Sequence, residues 1–258
     1  FDRVLNLQDR EARKTLKCTK KTVKLLQTGK FSQANWWIKW TFGYYNESWY
    51  KSLFSQAGHK QICGEITPAY SILEPADIAR IKAVNPDIKL IYMIRNPIDR
   101  AWSRIRSMDK QNKLNIDAVS NDEIISILES RGMILRGNYE RTLDNYLRYF
   151  DSSQILICFY DSIKYDPINL MSEITNFLNI SNFKNNDIDN QELIHASSSH
   201  KMPSTVKDYL TEAYGPMIKR LAVRFGSYAK IWEKSLNHSE FTILNTDAKS
   251  QYPTAIHP

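Results

Sequence analysis

Short apolar runs alternate along this chain with stretches in which apolar residues recur every three or four positions. Two runs, 88–94 and 154–160, have the length and composition of strands that are buried on both faces. The periodic stretches around them are typical of helices that cover such a sheet. The pattern therefore predicts an α/β fold, a parallel sheet flanked by helices, in a single domain over 1–258 with an irregular tail over 234–258.

Capping residues and prolines mark where several helices begin. Asn96 is a good N-cap and Pro97 fits the first helical position, so a helix is expected directly after the first strand. Ser120 and Glu123 form a capping box at the start of another helix. The remaining pattern predicts helices within 1–30 and over 75–84, 139–150, 167–178 and 206–225, a loop over 132–137 and a short strand over 61–66.

The N-terminal part of the chain is basic and then aromatic. Residues 1–30 have a helical pattern in which Val23, Leu25 and Leu26 are the expected buried positions. Residues 31–54 are crowded with Trp, Tyr and Phe, several of them four positions apart as in a packed helix. Core packing is the favoured interpretation of these aromatics. The alternative is a platform for an acceptor, since aromatic faces suit sugar rings.

Charge and cysteine content narrow the classes of partner. The net charge of +7 suits an anionic ligand such as a nucleotide or a sulfated polymer, although it is also typical of a solvated surface. No nucleic-acid recognition motif is present, so no nucleic-acid partner is expected. Three widely spaced cysteines form neither a disulfide framework nor a metal motif, and no metal is expected.

Targeting signals are not visible in the sequence. No segment is apolar enough to span a membrane, and no signal peptide is present. The expected location is the cytoplasm, or the Golgi lumen if an anchor upstream of Phe1 has been removed.

The segment from Arg95 to Ser103 carries the strongest chemical signal. Arg95 follows the first strand, and a helix that begins at Pro97 presents free N–H groups that favour anions. Its sequence, Arg-Asn-Pro-Ile-Asp-Arg-Ala-Trp-Ser, closely resembles the 3′-phosphate-binding motif of sulfotransferases that use 3′-phosphoadenosine 5′-phosphosulfate (PAPS). The resemblance implies that Arg95 and Ser103 contact the 3′-phosphate of PAPS and of its product, 3′-phosphoadenosine 5′-phosphate (PAP).

Two further segments extend this resemblance. Gly-Glu-Ile-Thr-Pro-Ala-Tyr, at 64–70, is similar to a Gly-Glu-Lys-Thr-Pro-x-Tyr signature of bacterial and glycosaminoglycan-type sulfotransferases, with Ile66 in place of lysine. The resemblance implies that Glu65 is the catalytic base. In relatives a basic loop closes over the donor nucleotide, and here His200 and Lys201 are the candidates at its place.

One element of the sulfotransferase pattern is not found. A Lys-x-Gly-Thr type loop, which cradles the 5′-phosphosulfate in relatives, does not occur in these residues, so we expect the family's first strand and phosphate loop to lie outside this chain. The implied activity is transfer of a sulfuryl group from PAPS to a hydroxyl or amine of a small-molecule or carbohydrate acceptor. The alternatives are a non-catalytic nucleotide-binding relative and another phosphate-loop transferase such as a small-molecule kinase.

Overall fold

The structure, a computed structural model, describes residues 2–181, 200–236 and 253–258, with side chains from Thr15 onward. The chain divides into an N-terminal unit, Phe1–Thr67, and a C-terminal unit, Pro68–Pro258. The single-domain organisation of the chain stays a prediction.

The N-terminal unit is built from three helices: α1 Asp2–Gln27, α2 Phe31–Phe42 and α3 Glu47–Ser52. Gly29 ends α1 with a φ of +70°, and the following amide of Lys30 donates a hydrogen bond to the Leu25 carbonyl at 2.9 Å. A left-handed residue directly after a helix is a common C-cap, and glycine adopts it without steric cost. The chain can therefore reverse between α1 and α2 within three residues.

The packed side of α1 differs from the predicted one. Thr22 is buried and Leu25 is half-buried, whereas Val23 and Leu26 are 46% and 42% exposed. Cys18, Thr22 and Leu25 recur at the spacing of one helix face, so a threonine and a cysteine occupy part of the contact side. The prediction that Val23 and Leu26 are buried was wrong.

The C-terminal unit contains a small sheet with strands β1 Leu90–Ile94, β2 Ile155–Phe159 and β3 Ala255–Ile256. β1 and β2 are parallel, and β3 pairs antiparallel with β2 in the order β1-β2-β3. This arrangement confirms the predicted α/β class with a parallel sheet. The predicted irregular tail is wrong for its last residues, since β3 completes an edge of the sheet.

Nine helices of the C-terminal unit are described: α4 Pro75–Val84, α5 Pro97–Lys110, α6 Asn121–Leu128, α7 Arg131–Gly137, α8 Tyr139–Leu147, α9 Asp161–Tyr165, α10 Pro167–Phe177, α11 Ser204–Phe225 and α12 Ser227–Ser235. Single 3₁₀ turns lie at Pro68–Ile72 and Ser152–Gln154. The capping box at Ser120 and Glu123 is present as predicted.

Helices pack on both faces of β2 because its side chains alternate between them. Ile155, Ile157 and Phe159 join the main core with residues from α5, α8, α11 and α12, while Leu156 and Cys158 pack with Leu170 of α10. Parallel strands covered on both faces are expected to be apolar throughout, and every residue of β2 is buried.

Two local predictions were wrong. Residues 132–137 lie in α7 rather than in a loop, and Gly137 is close to the ring of Tyr214, where a Cβ atom would approach the hydroxyl oxygen to 2.5 Å. Residues 61–67 form neither helix nor strand. A short apolar run needs a neighbouring strand to pair with, and the described part of the N-terminal unit contains none.

Candidate active site

The turn between β1 and α5 is held by one hydrogen bond within the turn and by another from Tyr139, the first residue of α8. Asn96 is buried, and its Oδ1 accepts the Ile98 amide at 3.0 Å. The Tyr139 hydroxyl donates to the carbonyl oxygen of Arg95 at 2.8 Å. Burial raises the pKa of Tyr139 to about 12, so this hydroxyl keeps its proton at neutral pH. Arg95, Asn96 and Pro97 thus occupy the strand end, N-cap and first helical position that the sequence predicts.

The guanidinium group of Arg95 lies over the ring of Tyr160, with Cζ 4.7 Å from the ring centroid. Tyr160 directly follows β2, and its amide donates to the Ile94 carbonyl at 2.8 Å. Parallel pairing therefore brings the carboxyl ends of the two strands together and supplies an aromatic face for the arginine. Ligands of open α/β sheets bind at this end of the strands.

Two carboxyl groups share this region with Arg95. Burial raises the pKa of Asp99 from 3.8 to about 6, the charge of Arg95 opposes the rise, and the nearby charge of Asp161 adds to it. Burial likewise raises the pKa of Asp161, whose Oδ2 atom has no hydrogen-bond partner in the structure. The positive charge of Arg95 is thus partly balanced by Asp99 and Asp161, and the Arg95 guanidinium favours their ionised forms.

Ser103 lies on α5, two turns from the strand end, and is half-buried. It is four residues after Asp99, so the two side chains fall on the same face of the helix. The structure thus brings Ser103 onto the helix that Arg95 precedes, as the sequence predicts.

His200 lies beside α5, and Lys201 follows it. The Trp102 indole donates to the His200 carbonyl at 3.1 Å, which places the backbone next to the turn that carries Ser103. The His200 ring faces carboxylates instead, with Nε2 3.3 Å from Asp117 and Nδ1 3.7 Å from Asp109. Lys201 is exposed. The segment is near the site, but the imidazole points toward acidic side chains.

Glu65 belongs to the N-terminal unit, and its carboxylate is held on both oxygens. The Tyr50 hydroxyl donates to Oε1 at 2.8 Å, and the Thr67 hydroxyl donates to Oε2 at 3.0 Å. The residue is exposed. Donors on both oxygens fix the orientation of the group.

Three neighbours of Arg95 were not predicted from the sequence: Asp99, Tyr160 and Asp161. Asp99 lies inside the motif itself. Tyr160 is the last residue of the second predicted strand and Asp161 follows it, so their position could have been inferred had the two strands been placed side by side. Among the described residues, no group of three or more His, Cys, Asp or Glu side chains could hold a metal ion, and no helix is long and apolar enough to cross a bilayer.

A family model described as the sulfotransferase domain matches residues 68–220, which is more than half of the chain. The chain belongs to the sulfotransferase family. The matched segment contains the β1–α5 turn with Arg95 and Ser103, and it contains His200 and Lys201. Glu65 lies just outside it.

Relatives of known name are similar over part of their length. Human heparan sulfate glucosamine 3-O-sulfotransferase 6 is 32% identical over 136 residues, 52% of this chain and 40% of that protein. Mouse heparan sulfate glucosamine 3-O-sulfotransferase 3A1 is 29% identical over 137 residues, 52% of this chain and 35% of that protein. The chain thus matches well under half the length of these relatives.

A solved bacterial structure has a similar fold. The sulfotransferase from Alicyclobacillus acidocaldarius matches with a TM-score of 0.53 and 22% identity over 69% of this chain and 70% of that one. At this level of identity the likeness supports the α/β fold and carries no statement about the substrate.

Proposed function

We propose that this protein transfers a sulfuryl group from PAPS to a hydroxyl group of a carbohydrate. Family membership and the names of the heparan sulfate relatives support the reaction and the class of acceptor. The observation that carries the proposal is the β1–α5 turn, where Arg95 stands at a strand end and a helix N-terminus follows at once. A guanidinium beside free helix N–H groups is suited to a phosphate.

The 3′-phosphate of the donor would bind between Arg95 and Ser103. The Arg95 guanidinium offers paired N–H donors, and the Ser103 hydroxyl donates to a further phosphate oxygen. The phosphate would then take over the role of Asp99 and Asp161 as the negative partner of Arg95. This contact positions the donor and supplies no bond-breaking step of its own.

The segment with His200 and Lys201 would contribute positive charge to the same nucleotide. Lys201 is exposed and free to turn toward a phosphate, since its ammonium group is on a flexible stem. The His200 ring would have to leave Asp109 and Asp117 to do so. We therefore assign the larger share of this contact to Lys201.

Glu65 would act as the general base. The acceptor oxygen attacks the sulfur atom, the bond between sulfur and the 5′-phosphate oxygen breaks in line, and the hydroxyl proton passes to the Glu65 carboxylate. Tyr50 and Thr67 keep this carboxylate in place. The products are the sulfated acceptor and PAP.

The test is an incubation of the natural full-length protein with sulfur-labelled PAPS and a panel that contains heparan sulfate, its desulfated form and a non-carbohydrate phenol. The proposal predicts label on the polysaccharides. Label on the phenol alone would contradict the acceptor class. Tight PAP binding with no transfer to any acceptor would indicate a non-catalytic nucleotide-binding relative, and phosphate transfer from ATP would indicate a kinase.

A further inference from the structure

The positive charge of the chain is concentrated in the N-terminal unit. Residues 1–67 contain twelve Lys and Arg against five Asp and Glu, whereas the rest of the chain has twenty-three of each. The whole net charge of +7 therefore comes from about a quarter of the sequence. A surface of this kind attracts a polyanion or an anionic surface over a distance of about one Debye length, roughly 10 Å.

The described part of α1 has a lysine side next to an exposed apolar side. Lys17, Lys20 and Lys24 are exposed and recur at the spacing of one helix face. Leu16 and Val23, two turns apart, are both about half exposed. Lys20 lies between them in sequence, one turn from each, so lysine flanks the apolar stripe.

A second exposed apolar stripe lies on α2. Phe31, Ile38 and Phe42 recur at intervals of seven and four residues and so share one face of the helix, and Phe31 and Phe42 are 67% and 61% exposed. Tyr44 and Tyr45, directly after the helix, are exposed as well. Tyr45 also packs against the ring of Trp49, with the centroids 4.6 Å apart.

The two stripes fall on the same side of the helical hairpin. Thr22 of α1 and Ala34 of α2 are buried, and Lys21 Nζ lies 4.2 Å from the centroid of the Trp37 ring. These residues mark the contact side of each helix. On each helix the exposed stripe is displaced from this contact side in the same rotational sense, which in an antiparallel pair directs both stripes to one face. We call this the hairpin face: Leu16, Val23, Phe31, Ile38 and Phe42.

We propose that the hairpin face binds the surface of a membrane that contains anionic lipids. Its leucine, valine, isoleucine and phenylalanine side chains would enter the boundary between headgroups and acyl chains, while the flanking lysines reach the phosphates. A polysaccharide would satisfy the lysines but would leave the aliphatic side chains in water. A second copy of this chain would bring like charges together. This inference goes beyond the proposed sulfuryl transfer and does not depend on it.

The test is vesicle co-sedimentation of the full chain, with phosphatidylcholine alone and with an equimolar mixture of phosphatidylcholine and phosphatidylserine. We expect binding to the mixed vesicles only, weakened by salt. Four of the six tryptophans lie in the N-terminal unit and the other two, Trp102 and Trp232, are buried, so a blue shift of tryptophan emission should accompany binding. Absence of binding to the mixed vesicles, or equal binding to both kinds, would overturn the proposal.

Paired variants separate the two contributions. Phe31→Ser with Phe42→Ser should weaken binding to the mixed vesicles at least about tenfold, since apolar burial is lost. Lys20→Gln with Lys24→Gln should weaken it about thirtyfold. All four positions are exposed, so the fold should tolerate these changes. The controls are Val223→Ser, at an 88% exposed valine of α11, and Lys219→Gln in the same helix, which should leave binding unchanged.

The two alternatives to a membrane on the hairpin face are a polysaccharide and a second copy of this chain, and each predicts a different experimental result. The first alternative is a polysaccharide. It would be shown if the protein binds immobilised heparin but not vesicles, and if the double lysine variant loses heparin binding while the double phenylalanine variant keeps it. The second alternative is another copy of this chain. It would be shown if sedimentation equilibrium finds a dimer that the double phenylalanine variant does not form and that vesicles do not affect. Either result would overturn the proposal.

Discussion

Replacing Asp99 by asparagine should stabilise the protein at neutral pH, and this stabilisation should disappear in acid. Asp99 has a pKa of about 6 in the folded chain against an ordinary 3.8. At about 1.36 kcal/mol per pKa unit, ionising this half-buried carboxyl at pH 7 lowers the free energy of unfolding by about 3 kcal/mol, and solvent screening reduces this to about 2 kcal/mol. Asparagine has nearly the same shape and carries no charge, so the cost is removed.

The pH dependence follows from the direction of the shift. Below the ordinary pKa of 3.8, Asp99 is protonated in both the folded and the unfolded chain, so the carboxyl does not lower the free energy of unfolding. As the pH rises toward about 6, the unfolded chain releases its proton first, so stability falls. The advantage of Asp99→Asn should therefore be greatest at pH 7 and above and should shrink to near zero around pH 4.

The assay is urea unfolding of wild-type and variant protein at closely spaced pH values from 4 to 8, with the difference in unfolding free energy as the readout. Asp87→Asn, at an exposed aspartate before β1, is the matched control and should show little difference at any pH. The same variant should bind PAP more tightly at pH 7, because one negative charge beside Arg95 is gone. A stability difference that does not change with pH, or a loss of stability at pH 7, would refute this reasoning.

Three further predictions concern the candidate site. Arg95→Ala should weaken PAP binding by about 1.5–3 kcal/mol and adenosine 5′-monophosphate (AMP) binding much less, measured by calorimetry; equal losses would remove Arg95 from the 3′-phosphate. Glu65→Gln should lower turnover about 10²-fold or more with PAP affinity unchanged, while Glu47→Gln in the same unit should have no effect; near-normal turnover would exclude Glu65 as the base. Tyr139→Phe should lower the free energy of unfolding by about 1–3 kcal/mol, since the partly buried Arg95 carbonyl loses its donor; an unchanged urea midpoint would contradict that role.

The β1–α5 turn could be predicted because all its determinants are close in sequence. A short apolar run, an N-cap at Asn96 and a proline at Pro97 each act on the backbone locally, and all three point to the same strand, turn and helix. The identity of the residues around Arg95 could not be predicted in the same way. Asp161 and Tyr160 reach Arg95 only because β1 and β2 pair in parallel, and pairing between distant segments leaves no local pattern.

The errors in the N-terminal unit and around α7 have a related cause. Val23 and Leu26 were expected in the core because they are apolar, but the contact side of a helix depends on where its partner lies, and Thr22 occupies it. Gly132 and Gly137 suggested a loop. Gly137 instead permits a close approach to the ring of Tyr214, which is a tertiary contact that composition alone does not reveal.

The central claim is that the β1–α5 turn binds the 3′-phosphate of a PAPS-type nucleotide. The most direct test is a calorimetric comparison of PAP with AMP, two ligands that differ only in that phosphate, on the wild-type natural protein at one ionic strength. A charged hydrogen-bonded contact predicts that PAP binds at least about tenfold more tightly than AMP. Equal affinities for PAP and AMP would contradict the claim.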